Sequence, residues 1–241
     1  MTMERHWIQY GEHRIAFTVV RRDRKTLEIG VEPDATVVVA APHDASMEAI
    51  FAKVRIRAAW VRRQQRFFSQ FLPRTPERRF VSGETHLYLG RQYRLKVLAC
   101  EKPGVKMIRG FIVVRSRESG RNEMTRGLIE KWYRDRARIK FTERLELNLT
   151  RFVDPESFRP RALIIRTMRR RWGSLSAFSR LVLNRRLIEA PVDGIDYVIT
   201  HELCHVAEPH HGSRFYALLD GVMPDWRTRK ENLERSVGGW T

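Results

Sequence analysis

The chain has 241 residues, of which 42% are hydrophobic and 10% aromatic, with only 14 Gly and 10 Pro. This composition excludes collagen-like, low-complexity and wholly disordered chains, which lack the apolar area that offsets the loss of chain entropy. The 46 Lys and Arg residues outnumber the 28 Asp and Glu residues, so the formal net charge is +18, which favours polyanionic partners or acidic substrates.

Cysteine content and hydropathy predict a soluble protein of a reducing compartment. The two cysteines, Cys100 and Cys204, are too few for a disulfide framework in a chain of this length. The first residues lack the apolar segment of a signal peptide, and no run approaches the roughly 18 apolar residues that span a bilayer. We therefore expect a cytoplasmic location and no membrane partner.

The beginning of the chain predicts an antiparallel sheet followed by a long helix. β-Branched residues, interrupted by charged or Pro-containing turns, predict strands over residues 14–21, 27–31 and 36–41. After Pro42, apolar residues at helical spacing predict a helix from residue 44 or 46 to 71. Its polar face carries six cations, Lys53, Arg55, Arg57, Arg62, Arg63 and Arg66. We interpret this face as solvated surface, with phosphate binding as the alternative.

A second group of strands and a second long helix follow. Residues 85–89 and 92–99 flank Gly90 and predict a hairpin, and residues 111–115 predict a further strand. From residue 123 to 149, apolar positions at helical spacing alternate with Lys and Arg, which predicts another basic helix.

The change of pattern after residue 149 divides the chain into two predicted domains. Residues 1–150 hold 31 basic and 17 acidic residues, and we expect this basic region to consist of strands and long helices. Residues 151–241 form the second domain, with strands over residues 162–168 and 181–187 and a helix capped by Asp193. The expected fold class is α+β, with a mainly antiparallel N-terminal region and long basic helices before the C-terminal domain.

The helix after Asp193 contains His201-Glu202-Leu203-Cys204-His205, an H-E-x-x-H motif. Four residues of α-helix rise about 6 Å and rotate slightly past one turn, so His201 and His205 point from one face and can bind one metal ion. Glu202 is then placed to hold a water molecule rather than the metal. Because zinc in a catalytic site keeps an open position for water, the motif predicts metal-assisted hydrolysis.

Two further histidines are candidates for a third ligand. His210 and His211 follow Pro209, which we expect to break the helix and let the chain turn back beneath the metal. Cys204, three residues after His201, is expected to face away from the two histidines and to act as a small buried apolar residue. A set of imidazole ligands suits zinc and also several other divalent ions.

The region from residue 171 to 226 carries a set of short motifs. These are, in chain order, Arg171-Trp172-Gly173-Ser174, Leu183-Asn184, Ala190-Pro191, Ile195-Asp196-Tyr197-Val198, HELCHVAEPHHGSRFY and Met223-Pro224-Asp225-Trp226. With these motifs the chain resembles the YgjP-like zinc metallopeptidases, relatives of the SprT-like proteases. The chain departs from the family at Leu175, where such sequences often have Cys, and at Arg185, where they often have Trp. Neither position is a ligand position, so these departures bear on substrate fit.

The resemblance implies a zincin-like C-terminal metallopeptidase domain with a Zn²⁺ cofactor. It implies His201, His205 and His211 as the metal ligands and Glu202 as the catalytic residue. The third ligand is taken to be His211 because it reproduces the ligand spacing of related zincins, and because an aromatic residue, Phe215, follows it four residues later.

The resemblance also predicts how substrate binds. Zincins bind an extended peptide along a sheet edge beside the metal helix, and by analogy we assign that edge to residues 181–184. Trp172 and Asn184 are candidates for lining the cleft, with burial as the alternative. We therefore expect a zinc-dependent endopeptidase acting on protein or peptide substrates, in which Glu202 moves a proton from water to the leaving amine.

The basic N-terminal part supports an alternative hypothesis. Under this hypothesis, the chain is a nucleic-acid-binding protein whose metal site is vestigial or structural. A structural zinc site is closed by a fourth side chain and does not need Glu202, which favours the enzyme. The two hypotheses combine if the protease acts on proteins associated with nucleic acid, as the relation to SprT-like proteases implies.

Overall fold

The chain divides into two units in the computed structural model, one within residues 1–75 and the other within residues 76–241. The structure describes residues 4–32, 34–69, 78–117, 122–168 and 171–236. The predicted domain boundary at residue 150 falls inside the second unit, because Leu149 and Phe152, on either side of it, belong to one hydrophobic core.

The first unit is a four-stranded sheet with a long helix on one face. Strands β2 (His13–Arg21), β3 (Glu28–Val31) and β4 (Val37–Ala41) and helix α1 (Met47–Ser69) lie close to the predicted elements, whereas the sequence pattern does not predict β1 (Glu4–Tyr10). Only one residue of β1 is buried, so this strand lacks the alternation that marks a half-buried strand. The order is β1-β2-β4-β3, with β2 and β4 parallel and the outer pairs antiparallel. The core between sheet and helix includes Ile15, Phe17, Val37, Val39, Ile50, Val54 and Val61.

The second unit begins with the same strand order. Strands β5 (Thr85–Tyr88) and β6 (Arg91–Ala99) form the predicted hairpin, and β7 (Gly104–Ile108) and β8 (Phe111–Ser116) form another. The sheet order is β5-β6-β8-β7 with β6 and β8 parallel, and helix α2 (Asn122–Leu149) packs on one face. Both units thus contain two hairpins and a long helix in one topology, a repeat that the sequence pattern does not reveal.

A three-stranded sheet and three helices complete the second unit. Strands β9 (Ala162–Arg166), β10 (Gly173–Leu175) and β11 (Arg180–Asn184) lie in the order β10-β11-β9. The sequence predicts β9 and β11 but not the short β10, and the strand predicted over residues 181–187 ends at Asn184, where a 3-10 helix, Arg185–Glu189, begins. The helices are α3 (Val192–Cys204), α4 (Ser213–Val222) and α5 (Trp226–Ser236).

Helix α3, which carries the H-E-x-x-H motif, begins differently from the prediction. Its N-cap is Pro191, and Asp193 lies in the first turn, where its Oδ1 accepts a hydrogen bond from the Gly194 N–H. Asp193 is therefore not the capping residue, although a carboxylate in the first turn interacts favourably with the helix dipole. Neither α3 nor any other helix in the described ranges is long and apolar enough to cross a bilayer.

A buried polar network holds α3 against α2. Asp196 of α3 accepts hydrogen bonds from Nε and Nη2 of Arg144 at 2.7 and 2.6 Å. Asn148 of α2 donates to the same carboxylate at 2.9 Å and accepts a hydrogen bond from the Thr200 hydroxyl at 3.1 Å. Because Thr200 immediately precedes His201, these bonds fix the register and rotation of the helix that presents the histidines.

Candidate metal centre

Three histidines meet at the C-terminal end of α3. His201 lies in its last turn, and His205 is the C-cap residue directly after the helix, with helical backbone angles. Their side chains therefore point from one face, as the spacing predicts, and their ring centroids are 5.2 Å apart. The ring of His211 comes from the loop before α4, with its centroid 4.9 Å from that of His201 and 4.7 Å from that of His205.

The loop between α3 and α4 returns the chain to these histidines. The Glu208 N–H donates to the Cys204 carbonyl at 3.0 Å, and His205 Nδ1 lies 3.0 Å from the Glu208 carbonyl oxygen. The helix has already ended at Cys204, so the prediction that Pro209 breaks it is wrong. The hydrogen bonds at the helix end form the turn before the chain reaches the proline.

The ring nitrogens are arranged as a set of ligands. One nitrogen of each ring lies within 4.8 Å of the others, and Nε2 of His211 is 3.0 Å from Nε2 of His201. Zinc–nitrogen bonds of about 2.0–2.1 Å in a tetrahedral site place two nitrogens about 3.3 Å apart, so one ion fits this set. In the part of the chain that the structure describes, this is the one such group of His, Cys, Asp or Glu side chains.

The protonation states of the histidines also suit a metal. The Glu208 carbonyl only accepts, so His205 Nδ1 carries the donated hydrogen and Nε2 keeps a free lone pair. Burial and the neighbouring imidazoles lower the pKa of His201 to about 3, and burial lowers the pKa of His211. At neutral pH the rings of His201 and His211 are therefore uncharged, which is the form that binds metal.

Phe215 of α4 forms an apolar floor beneath the three rings. Its side chain is fully buried, and its ring centroid lies 5.0 Å from that of His201 and 4.7 Å from those of His205 and His211. An apolar surface of this kind orients ligand rings and limits access of water from below. The aromatic residue four positions after His211 thus supports all three histidines.

The two other candidate ligands lie outside the cluster. His210 is exposed and does not belong to the group of three. Cys204 is fully buried, and burial raises the pKa of its thiol to about 12. Cys204 therefore has the buried position predicted for it, and His211 rather than His210 joins His201 and His205.

Glu202 lies beside the histidine cluster and not within it. Its side chain is buried, and the backbone N–H of Leu175 in β10 donates a hydrogen bond to its carboxylate. Burial raises the pKa of Glu202 to about 7, against the opposing effects of this hydrogen bond and of the positive charge of Arg171. A carboxyl group with a pKa near neutrality can both accept and donate a proton at physiological pH.

A cavity of about 190 Å³ opens next to His201 and Glu202. Trp172 lines one wall, as predicted, and Leu233 of α5 lines another. Asn184 does not line this cavity. Its side chain is buried and donates hydrogen bonds to the carbonyls of Met168 and Arg171, which shapes the chain on either side of residues 169–170.

The sheet edge beside Glu202 belongs to β10 and not to β11. β11 pairs with β10 on one side and β9 on the other, so residues 181–184 have no free backbone edge and the predicted binding edge is wrong. β10 is an outer strand. Along an antiparallel pair of strands, residues that hydrogen-bond to the partner strand alternate with residues whose backbone groups face away from it. Trp172 and Ser176 hydrogen-bond to β11. The backbone groups of Gly173 and Leu175 therefore face the free edge.

The residues that position helix α3 have no role predicted from the sequence. Asp196 gives a signal, because it is a carboxylate within the otherwise apolar run over residues 195–199, and a buried charge needs a partner. That partner, Arg144, lies 52 residues earlier in the chain. Nothing in the local sequence identifies it before the fold brings α2 and α3 together.

Comparison with known proteins shows which family model the chain matches. A family model described as "YgjP-like, metallopeptidase domain" matches residues 25–236. No curated protein matches the chain. Among solved structures, the metallopeptidase zymogen abylysin of Pyrococcus abyssi matches with 15% sequence identity and a TM-score of 0.35, over 40% of this chain and 94% of that chain.

Proposed function

The chain belongs to the YgjP-like metallopeptidase family, and on this premise we propose that it is a zinc-dependent endopeptidase of the H-E-x-x-H type. The family supports a metal-dependent protease whose substrates are proteins or peptides. In the proposed site, His201, His205 and His211 hold the zinc ion and Glu202 is the general base. The two free cysteines, Cys100 and Cys204, are compatible with the cytoplasmic location that we also propose.

The approach of three imidazoles to one another is the observation that carries this proposal. The nitrogens of His201 and His211 face each other at 3.0 Å, a distance that a shared cation stabilises. The buried carboxylate of Glu202 stands next to His201 on the same cavity wall. A set of three nitrogen ligands leaves a position open for water, which is the arrangement of catalytic rather than structural zinc sites.

A zinc ion held by these histidines would polarise the substrate carbonyl and lower the pKa of a water molecule. Glu202 accepts a proton from the attacking water at a carboxylate oxygen while the new C–O bond forms. It then donates that proton to the leaving nitrogen as the C–N bond breaks. The Leu175 N–H holds the carboxylate in place for both transfers.

The free edge of β10 supports an extended peptide as the substrate. We propose that the substrate adds a strand to this edge, where the backbone groups of Gly173 and the carbonyl of Leu175 face outward, because unpaired edge groups recruit a further strand. The peptide then lies beside Glu202. The adjoining cavity has apolar walls from Trp172, Val198 and Leu233, which favour an apolar substrate side chain.

The nucleic-acid alternative, with a structural or vestigial metal site, has less support at this centre. A structural zinc site needs a fourth side chain, whereas the cluster found among the described residues has three histidines. Glu202 would also have no reason to be buried beside them. Action on nucleic-acid-associated proteins, and a relation to SprT-like proteases, stay hypotheses.

Cleavage of an unfolded protein, followed by gel electrophoresis and mass spectrometry, tests the proposal. We expect internal fragments, loss of cleavage after treatment with a metal chelator, and recovery when zinc is added back. Cleavage that continues in metal-free protein would contradict a zinc-dependent mechanism. Release of terminal amino acids alone would contradict an endopeptidase.

A further inference from the structure

The sheet of strands β5 to β8 has one face in the core and the opposite face exposed. Leu95, Ile112 and Val114 point into the core, so the residues that alternate with them point outward. The register places Arg94 beside Phe111 in the neighbouring strand, and Phe111 beside Ile108 in the next. We call the following residues the basic sheet face: Arg94, Lys96, Lys106, Ile108, Phe111 and Arg115.

Within the described ranges of the chain, the four cations of the basic sheet face have no acidic partners. All four are exposed, and the outward positions of the four strands hold no Asp or Glu. In contrast, Arg126, Lys140 and Arg144 of α2 each pair with a carboxylate. The positive charge of the basic sheet face is therefore not neutralised by neighbouring carboxylates and can attract an external anion.

Apolar side chains lie among these cations. Phe111 is 41% exposed and Ile108 is 44% exposed. Cations alone are typical of a solvated surface. An aromatic ring exposed between unpaired cations has the composition of a stacking platform, on which a base lies against the ring while neighbouring cations contact phosphates.

The spacing of the cations suits a chain of phosphates. Arg94 and Lys96 are two residues apart on β6, about 7 Å, and Lys96 and Lys106 lie on strands separated by β8, about 10 Å apart. The described residues of this surface belong to strands, whereas a helix or a two-stranded ribbon is what enters the major groove of a duplex. Stacking on Phe111 also requires a base that is not enclosed in a double helix.

We propose that the basic sheet face binds single-stranded nucleic acid. Bases stack on Phe111, and Arg94, Lys96, Lys106 and Arg115 contact phosphates. The binding site lies within the second unit and does not depend on the peptidase activity proposed above, so either inference can fail without the other.

Fluorescence anisotropy of a labelled 20-nucleotide oligo-dT, titrated with the full-length protein at several salt concentrations, tests this proposal. Four phosphate contacts predict a slope of log K against log salt of about −2.8. The variant Arg94→Gln/Lys96→Gln/Lys106→Gln/Arg115→Gln should lose most of this slope, and Lys96→Gln/Lys106→Gln should lose about 1.4 of it. Phe111→Ala should weaken binding about tenfold and leave the slope unchanged. Circular dichroism checks that each variant is folded. If the fourfold variant does not fold, the Lys96→Gln/Lys106→Gln and Phe111→Ala variants test the proposal.

A matched control removes the same number of charges elsewhere. Lys53, Arg55, Arg57 and Arg63 of α1 are also exposed, and their replacement by Gln should leave the slope in place. An equal loss of binding in both fourfold variants would overturn the proposal, because net charge alone would then explain it. Competition by duplex DNA or by polyglutamate as strong as that by oligo-dT would also overturn it, in favour of a duplex or an acidic polypeptide.

Discussion

Gly173 stands so close to Glu202 that a single added methyl group would collide with it. A Cβ atom at residue 173 would lie 2.8 Å from both Cγ and Oε1 of Glu202 and 3.0 Å from Cγ1 of Val198. Gly173 lies in strand β10 and is not among the glycines with positive φ. The glycine is needed for space rather than for backbone conformation, and the space is occupied by the proposed general base.

Gly173→Ala should therefore impair catalysis while leaving the metal in place. The Glu202 carboxylate must move, and a displacement of about 1 Å from the reacting atoms typically costs about a hundredfold in rate. The measurement is kcat/KM on a peptide substrate together with zinc content. Gly127→Ala in α2, where a Cβ atom would meet nothing within 4 Å, should retain full activity. Unchanged kcat/KM in Gly173→Ala would show that the position of Glu202 is not limiting.

The adjacent histidines should respond differently to substitution. His211→Ala should leave the protein with little bound zinc, because two imidazoles bind the ion much more weakly than three. His210→Ala should keep about one zinc per chain, because His210 is exposed and outside the cluster. Metal analysis after dialysis distinguishes the two. Zinc lost from His210→Ala and kept by His211→Ala would reverse the assignment of the third ligand.

Asp196→Ala should destabilise the protein through the contact between α2 and α3. It leaves the Arg144 guanidinium without its bidentate partner, and breaking such a largely buried pair costs about 3 kcal/mol. Glu143→Gln, which removes an exposed pair with Lys140, should change the free energy of unfolding by less than about 1 kcal/mol. Urea denaturation measures both. Equal, small effects would mean that the buried network does not hold α3.

Phe215→Ala should weaken zinc binding as well as the fold. Removing a buried phenylalanine costs about 3–5 kcal/mol of stability, and loss of the floor beneath the three rings should lower zinc affinity about tenfold. Phe141→Ala in α2 removes a ring from the same core cluster and should cost similar stability with unchanged zinc affinity. Competition with a chromophoric chelator measures the affinity. A similar decrease in zinc affinity in both variants would assign the effect of Phe215 to general destabilisation.

The positions of the long helices and the orientation of side chains along them could be predicted from the sequence, because interactions between residues close together in the chain determine them. Helical geometry alone places His201 and His205 on one face. Long periodic segments gave the positions of α1 and α2 within a few residues. The burial of Cys204 also follows from its position on the helix.

The rest depends on contacts between distant residues. β10 has three residues, too few for a recognisable alternation, and becomes a strand because it pairs with β11. For this reason the sequence pattern predicts the binding edge at the more regular strand, β11, which is the central strand of the sheet. The pattern of the sequence changes after α2 and predicts a domain boundary there, whereas α2 shares its hydrophobic core with α3.

Glu202→Gln tests the central claim most directly, with zinc content and kcat/KM measured on the same preparation. The amide preserves the shape of the side chain but cannot accept the proton, so activity should fall about a hundredfold or more. Zinc should remain near one per chain, because Glu202 lies outside the cluster of ring nitrogens. Full activity would remove Glu202 from the mechanism, and loss of zinc together with activity would make it a ligand instead of the base.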